Sequence, residues 1–144
     1  MSFDLKISNG DLSISSTGDF AIVTDTPKLE QDVLKIVSTP LNGNPFFPGY
    51  GSVLSKSSIG DIIDFQFTSS FITSNITNAL QILQTYQSLQ LSSGQKVTAA
   101  ELLAAVKSVQ VYENPDDPRY YQVSINILSK ALTVVSPTFT LGPN

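Results

Sequence analysis

The hydrophobic period of this chain changes twice along its length, from two residues to about 3.6 and back to two. Leu5, Ile7, Leu12 and Ile14 alternate with polar residues around Asn9-Gly10. Asn-Gly is the strongest two-residue hairpin signal, because both positions tolerate positive φ. In that register Ile7 faces Leu12 and Leu5 faces Ile14, so one side of the hairpin is apolar. Ser16-Thr17-Gly18-Asp19 turns the chain again into the alternating run Phe20–Val23, which predicts a small N-terminal meander. Thr26-Pro27 then opens a helix, with a hydroxyl at the cap and proline at the first helical position, and Leu29, Val33, Ile36 and Val37 follow at helical spacing. Thr39-Pro40 stops it, because proline disfavours helical geometry in the residue before it.

Residues 57–65 predict a short helix, and residues 69–91 a longer one with Ile72, Ile76, Ala79, Leu80, Leu83 and Tyr86 on one stripe. Thr98-Ala99-Ala100-Glu101 has the capping-box pattern and predicts a further helix to about Ala105. Alternation returns at Val109 and Val111, at Tyr121, Val123, Ile125 and Ile127, and at residues 138–141, with Asn114-Pro115-Asp116-Asp117-Pro118 as a turn. The expectation is an α+β fold. A small antiparallel sheet is formed by N- and C-terminal strands, with about three to four helices between, in one domain over residues 1–144.

Composition removes whole classes of chemistry. The chain has no cysteine and no histidine, so thiol catalysis, cysteine-ligated zinc and the usual serine hydrolase chemistry have no residues to work with. Twelve acidic residues against 8 basic ones, with no basic cluster, argue against nucleic acid as a partner. No apolar run approaches the ~20 residues of a bilayer span, and the first residues lack a signal-peptide pattern, so no membrane partner is expected and synthesis in a cytoplasm is. Charged residues are 14% of the chain, and Phe65 to Gln95 contains none. An uncharged polar surface loses little on desolvation, which favours a helix covered by a partner over an ordinary solvated one.

Three further features have competing readings. The segment 40–52, PLNGNPFFPGYGS, interleaves prolines and glycines with Phe46, Phe47 and Tyr50. These aromatics either pin the loop to its own core or form a docking surface, and the sequence weighs the two evenly. Glu30, Asp32, Asp61, Asp64, Glu101 and Glu113 are carboxylates that a glycosidase would need, and Asp61 and Asp64 share a helix face by spacing. Solvated or capping carboxylates are the commoner case, and no catalytic, cofactor-binding or metal-binding residue is assigned. Arg119, the only arginine, suits either a turn closure or a bidentate lock at an interface.

Four patterns recur in order: Asn9-Gly10-Asp11-Leu12 with Gly18-Asp19; the helical run Leu29–Pro40; Gly43-Asn44-Pro45-Phe46-Phe47-Pro48-Gly49-Tyr50-Gly51-Ser52; and Asp117-Pro118-Arg119. Together they resemble the sheath-initiator family of contractile tails, the lysozyme-like baseplate wedge proteins. The last pattern is similar to that family's Glu-Pro-Arg signature, with the shorter Asp for Glu and with Asn114-Pro115-Asp116 inserted ahead of it.

The resemblance implies a non-enzymatic virion subunit, in the baseplate of a phage tail, partnered by the tail sheath protein, by baseplate wedge proteins and by tube or hub proteins. Asp117, Pro118 and Arg119 would contact the wedge. Strands at 120–128 and 132–141, carrying Val123, Ile125 and Ile127, would offer backbone edges to the first sheath ring. The alternatives are a cell-wall-degrading glycosidase of the tail, or the equivalent subunit of a bacterial contractile injection system.

Overall fold

In the computed structural model of the chain, which describes residues 2–56 and 65–142, the Asn9-Gly10 turn forms as its residues require, with φ of 52° and 81°. Around it, β1 (Asp4–Leu5) pairs antiparallel with β4 (Ile22–Val23), and β2 (Ile7–Ser8) pairs with β3 (Asp11–Leu12). Ile7 faces Leu12 as the turn predicts. Leu5, however, faces Ile22, and Ile14 is bridged to Phe20. The cause is a curl in the meander. Lys6 N–H donates to Ala21 C=O at 2.8 Å, Ser13 N–H to Lys6 C=O at 2.9 Å, and Ala21 N–H to Ser13 C=O at 2.8 Å. Lys6, Ser13 and Ala21 thereby tie the two strand pairs into one meander.

Helix α1 (Asp25–Ser38) follows directly, two residues earlier than Thr26 would start it. Asp25 takes a left-handed φ of 54°, and its carboxylate accepts the Thr98 hydroxyl at 2.7 Å; the Thr24 side chain makes no cap hydrogen bond, so a distant partner rather than a local cap holds the first turn. The stop is as predicted: Thr39 is extended, with ψ of 130°, immediately before Pro40. The next segment returns along the end of α1. Ser52 N–H donates to Thr39 C=O at 2.8 Å, and Leu41 N–H to Ser52 C=O at 3.1 Å. Gly51 makes this approach possible. Its φ is 122°, and a Cβ there would lie 2.6 Å from both the Thr39 and Pro40 carbonyl oxygens.

Helix α2 (Phe65–Ser92) buries Ile72, Ile76, Ala79, Leu80 and Leu83 on its predicted stripe. The short helix expected over 57–65 lies almost wholly outside the described residues. The capping-box helix does not form: residues Ala99–Glu101 make one 3-10 turn, and β5 (Leu103–Glu113) begins at once. Each group the capping box would use has a tertiary partner. Thr98 donates to Asp25, Glu101 accepts the Ser2 N–H and hydroxyl, and Gln87 of α2 holds both the Glu101 carbonyl (3.0 Å) and the Leu103 N–H (2.9 Å). Long-range contacts outweigh a local helix signal over so short a segment.

Strands β6 (Tyr121–Ser129), β7 (Val134–Val135) and β8 (Thr138–Leu141) complete a four-stranded antiparallel sheet with β5. The molecule is α+β, with its N- and C-terminal strands in separate sheets. One face of the C-terminal sheet packs on both helices. Val123, Ile125 and Ile127 are fully buried among Leu29, Val33 and Ile36 of α1 and the α2 stripe. Burying each such side chain contributes on the order of 1.5–3 kcal/mol.

Candidate interface and a neighbouring cleft

β6 is bordered by β5 on one side and by β7 and β8 on the other. It therefore has no free backbone edge, and Val123, Ile125 and Ile127 are core residues rather than contacts for another chain. This corrects the expectation that the strand at 120–128 donates an edge. The sequence held the signal: a strand joined by short turns to neighbours before and after it is the middle of a meander.

Among the described residues, no strand pairs with the outer side of β5, which makes it the open edge on that side of the sheet. Its register with β6 is regular from Ser108 to Glu113, and Asn114 continues it by donating to Tyr120 C=O at 2.9 Å. In an antiparallel pair the inward-facing residues alternate. Ser108, Gln110 and Tyr112 thus face β6, and the backbone groups of Val109, Val111 and Glu113 face away from it. Ile125, opposite Val109, accordingly sends its N–H the other way, to Pro137 C=O at 3.0 Å. The first part of the β5 edge is closed. Gln84 Nε2 donates to the Leu103 and Ala104 carbonyls at 3.3 and 3.1 Å, and register shifts fall between Leu103 and Ala105 and between Val106 and Ser108. Bulges and side-chain caps are common ways to blunt an edge. Among the described residues, neither device reaches 108–113. The second edge runs along β8, within the expected segment 132–141.

At the tip of the β5–β6 hairpin, Arg119 forks onto its neighbour. Nε donates to Asp117 Oδ1 at 3.1 Å and a terminal nitrogen to Oδ2 at 2.9 Å, and the Arg119 backbone N–H also reaches Oδ1 at 3.1 Å. These bonds hold the Asp117 carboxyl below its ordinary range and raise the guanidinium. Both side chains are accessible, so the fork is a solvated turn closure with donors to spare rather than a buried pair. Pro118 sits between them.

The aromatic loop divides between its two readings. Tyr50 and Phe47 stack edge-on against Tyr86 of α2, with ring centroids 5.7 and 5.8 Å away, and the Tyr86 hydroxyl donates to Pro48 C=O at 2.8 Å. These contacts pin the loop. Phe46 is left 86% exposed.

Beneath this loop lies an open cleft of about 330 Å³, lined by Asp4, Lys28, Asp32, Lys35, Tyr50 and Tyr86 among others. Lys28 pairs with Asp32 at 2.7 Å and Lys35 with Asp4 at 2.6 Å. Burial pushes the Asp32 carboxyl above its ordinary value, and the Lys28 and Lys35 ammonium groups reverse only part of this. Burial also pushes Asp4 upward, but Lys35, the Leu5 N–H and Gln31 outweigh it and hold Asp4 low. Burial and the nearby Asp32 and Asp4 carboxylates push the Tyr50 hydroxyl up to about 12.

Of the other carboxylates, Glu30 and Glu113 are exposed, Glu101 is buried on Ser2, and Asp61 and Asp64 lie outside the described residues. Among the described residues no cluster of acidic side chains is arranged to hold a metal ion, and no helix is long and apolar enough to cross a membrane.

No protein-family model matches the chain, and no curated protein matches it. Among solved structures it is similar to a crystal structure from Geobacter sulfurreducens whose protein carries the provisional name tail lysozyme. The TM-score is 0.59 at 12% sequence identity, over 81% of this chain and 88% of that one. What the two chains share at that identity is the α+β fold.

Proposed function

We propose that the chain is a structural subunit of a contractile tail, acting at the baseplate as the piece on which the sheath begins to assemble. The observation that carries this reading is the regular, unblunted edge of β5 over residues 108–113, beside a β6 whose own edges are filled. Unpaired N–H and C=O groups on such an edge template the strand of another chain, and a ring of them would set the register of the first sheath subunits. The motifs that resemble the sheath-initiator family, and the shared fold with a protein named for tails, support the same reading. Wedge proteins, with tube or hub proteins, would occupy the Asp117-Pro118-Arg119 tip and the exposed Phe46. An injection-system subunit would use the same edges.

Val111→Pro tests this directly. Its N–H faces outward, so proline removes no bond to β6 but blocks an added strand. Tails assembled with this variant should carry a baseplate and tube but no sheath, and Arg119→Ala tails should fail to seat the subunit. Fully sheathed tails from both variants would refute the reading.

The cleft favours a second reading, a wall-degrading glycosidase, because Asp32 and Asp4 have their proton affinities pushed in opposite directions. It is the weaker reading, since each carboxylate already holds a lysine. Peptidoglycan turnover by the purified chain that disappears in Asp32→Asn would reverse this ranking.

A further inference from the structure

The N-terminal meander presents its apolar side chains to solvent. Phe3, Leu5, Ile7, Leu12, Ile14, Phe20 and Ile22 are between 38% and 65% exposed. The pairing makes them one surface. Ile7 faces Leu12, Leu5 faces Ile22 and Ile14 faces Phe20, and residues two apart on a strand share a side. The opposite side carries Val23, which is buried, and Asp4, which reaches Lys35. The meander is held to the body by polar contacts. Gln31 of α1 accepts the Ile7 N–H and donates to Leu5 C=O, both at 2.9 Å, and Ser2 bonds to Glu101. None of these contacts uses the apolar surface.

We propose that this surface is a docking site, independent of the β5 edge, for a polypeptide with an apolar centre and a lysine- or arginine-bearing rim. Three observations select that occupant. First, at about half exposure and on the order of 200 Å² per large side chain, the surface offers roughly 700 Å². That approaches the ~800 Å² each partner gives a standard interface and exceeds what a monomer usually leaves bare. Second, the strands of the meander spend their central backbone hydrogen bonds on one another, so the partner is gripped by side chains rather than added as a strand. Third, the charge around the patch is acidic. Asp4 is tied to Lys35, leaving Asp11 and Asp19 exposed against the single ammonium of Lys6, on a chain of net charge −4. A second copy would bring two acidic rims together, whereas a basic rim is complementary.

Two synthetic hairpin peptides with the same Val/Leu face, one flanked by lysine and one by glutamate, test this by fluorescence anisotropy on the full chain. The lysine-flanked peptide should bind about tenfold tighter or more, and the difference should shrink as salt is raised. Ile14→Ser with Phe20→Ser, both at solvent-exposed positions, should abolish binding. Asp11→Lys with Asp19→Lys should reverse the preference, and Val111→Pro should leave it unchanged. The chain alone should sediment as a monomer. Equal binding of the two peptides, no binding of either, or self-association that Ile14→Ser with Phe20→Ser removes would each overturn the proposal. Because Val111→Pro is read out on sheath addition and these peptides are not, either idea can fail without the other.

Discussion

The N-terminal meander and the C-terminal sheet are written in the same pattern and used in opposite ways. Both alternate apolar and polar residues around short turns. In the sheet the apolar set, Val123, Ile125 and Ile127, has no exposed surface and two helices above it. In the meander the equivalent set, Ile7, Leu12, Ile14 and Phe20, faces outward. Alternation therefore states that a strand has an apolar side. It does not state whose atoms will cover that side. The difference comes from what the chain has left to pack. The apolar stripes of α1 and α2 are both spent on the C-terminal sheet, and α1 meets the meander through Gln31 and Lys35 instead.

The contrast can be broken most forcefully by truncation. Ile125→Ala should destabilise the chain by roughly 2–5 kcal/mol, through lost burial and a cavity, while Ile14→Ala should stay within about 0.5 kcal/mol. Equal losses in urea denaturation would mean that the meander's apolar side is covered by the chain itself. The turns give the next largest effect. Gly51→Ala and Gly10→Ala both place a Cβ at positive φ, but only at Gly51 would it strike backbone. Strain of order 1–3 kcal/mol is expected at both, with the additional clash at Gly51 lowering Tm further. Gln87→Ala should cost about 1–3 kcal/mol, because it strands the buried Leu103 N–H and Glu101 carbonyl.

Acid sharpens the comparison with opposite signs. Asp4, in the meander, has its carboxyl held below 3.8, so its contribution is present above that pH and is lost as pH falls through the lower folded value. Asp32, in α1, is raised above 3.8, so its contribution is present below 3.8 and is lost as pH rises through the higher folded value. The stability of the parent chain relative to Asp4→Asn should therefore drop on acidification. Relative to Asp32→Asn it should rise. Denaturation curves across the acid range would show both, and parallel trends would be incompatible with the pairing described. The smallest effect belongs to Arg119→Ala, whose solvated fork should leave the urea midpoint essentially unchanged.

Much of this architecture was readable in advance. Asn9-Gly10, Thr39-Pro40 and the α2 stripe each act through local geometry, and each formed where its residues stand. What failed to read through depended on distant partners. The capping box at Thr98 and Glu101 looks like a helix start until Asp25, Ser2 and Gln87 claim its groups. The interface assignment erred for a related reason. Val123, Ile125 and Ile127 make β6 the most persuasive strand of the sequence, and strong apolar alternation is what a central strand needs. Among the described residues the free edge falls on β5, whose residues 104–113 are half-buried or exposed and whose pattern is correspondingly weaker. For the aromatic loop, Tyr86 decided which rings turn inward, and no spacing rule within residues 40–52 contains Tyr86.

Gln84 and Gln87 give the molecule a load path. Their amides rivet the start of β5 and the 3-10 turn before it to the C-terminal third of a 28-residue helix at four backbone points, two carbonyls through Gln84 and a carbonyl and an N–H through Gln87. A pull along β5 from its outer side is thus shared with α2 in shear instead of peeling the strand from β6 one rung at a time.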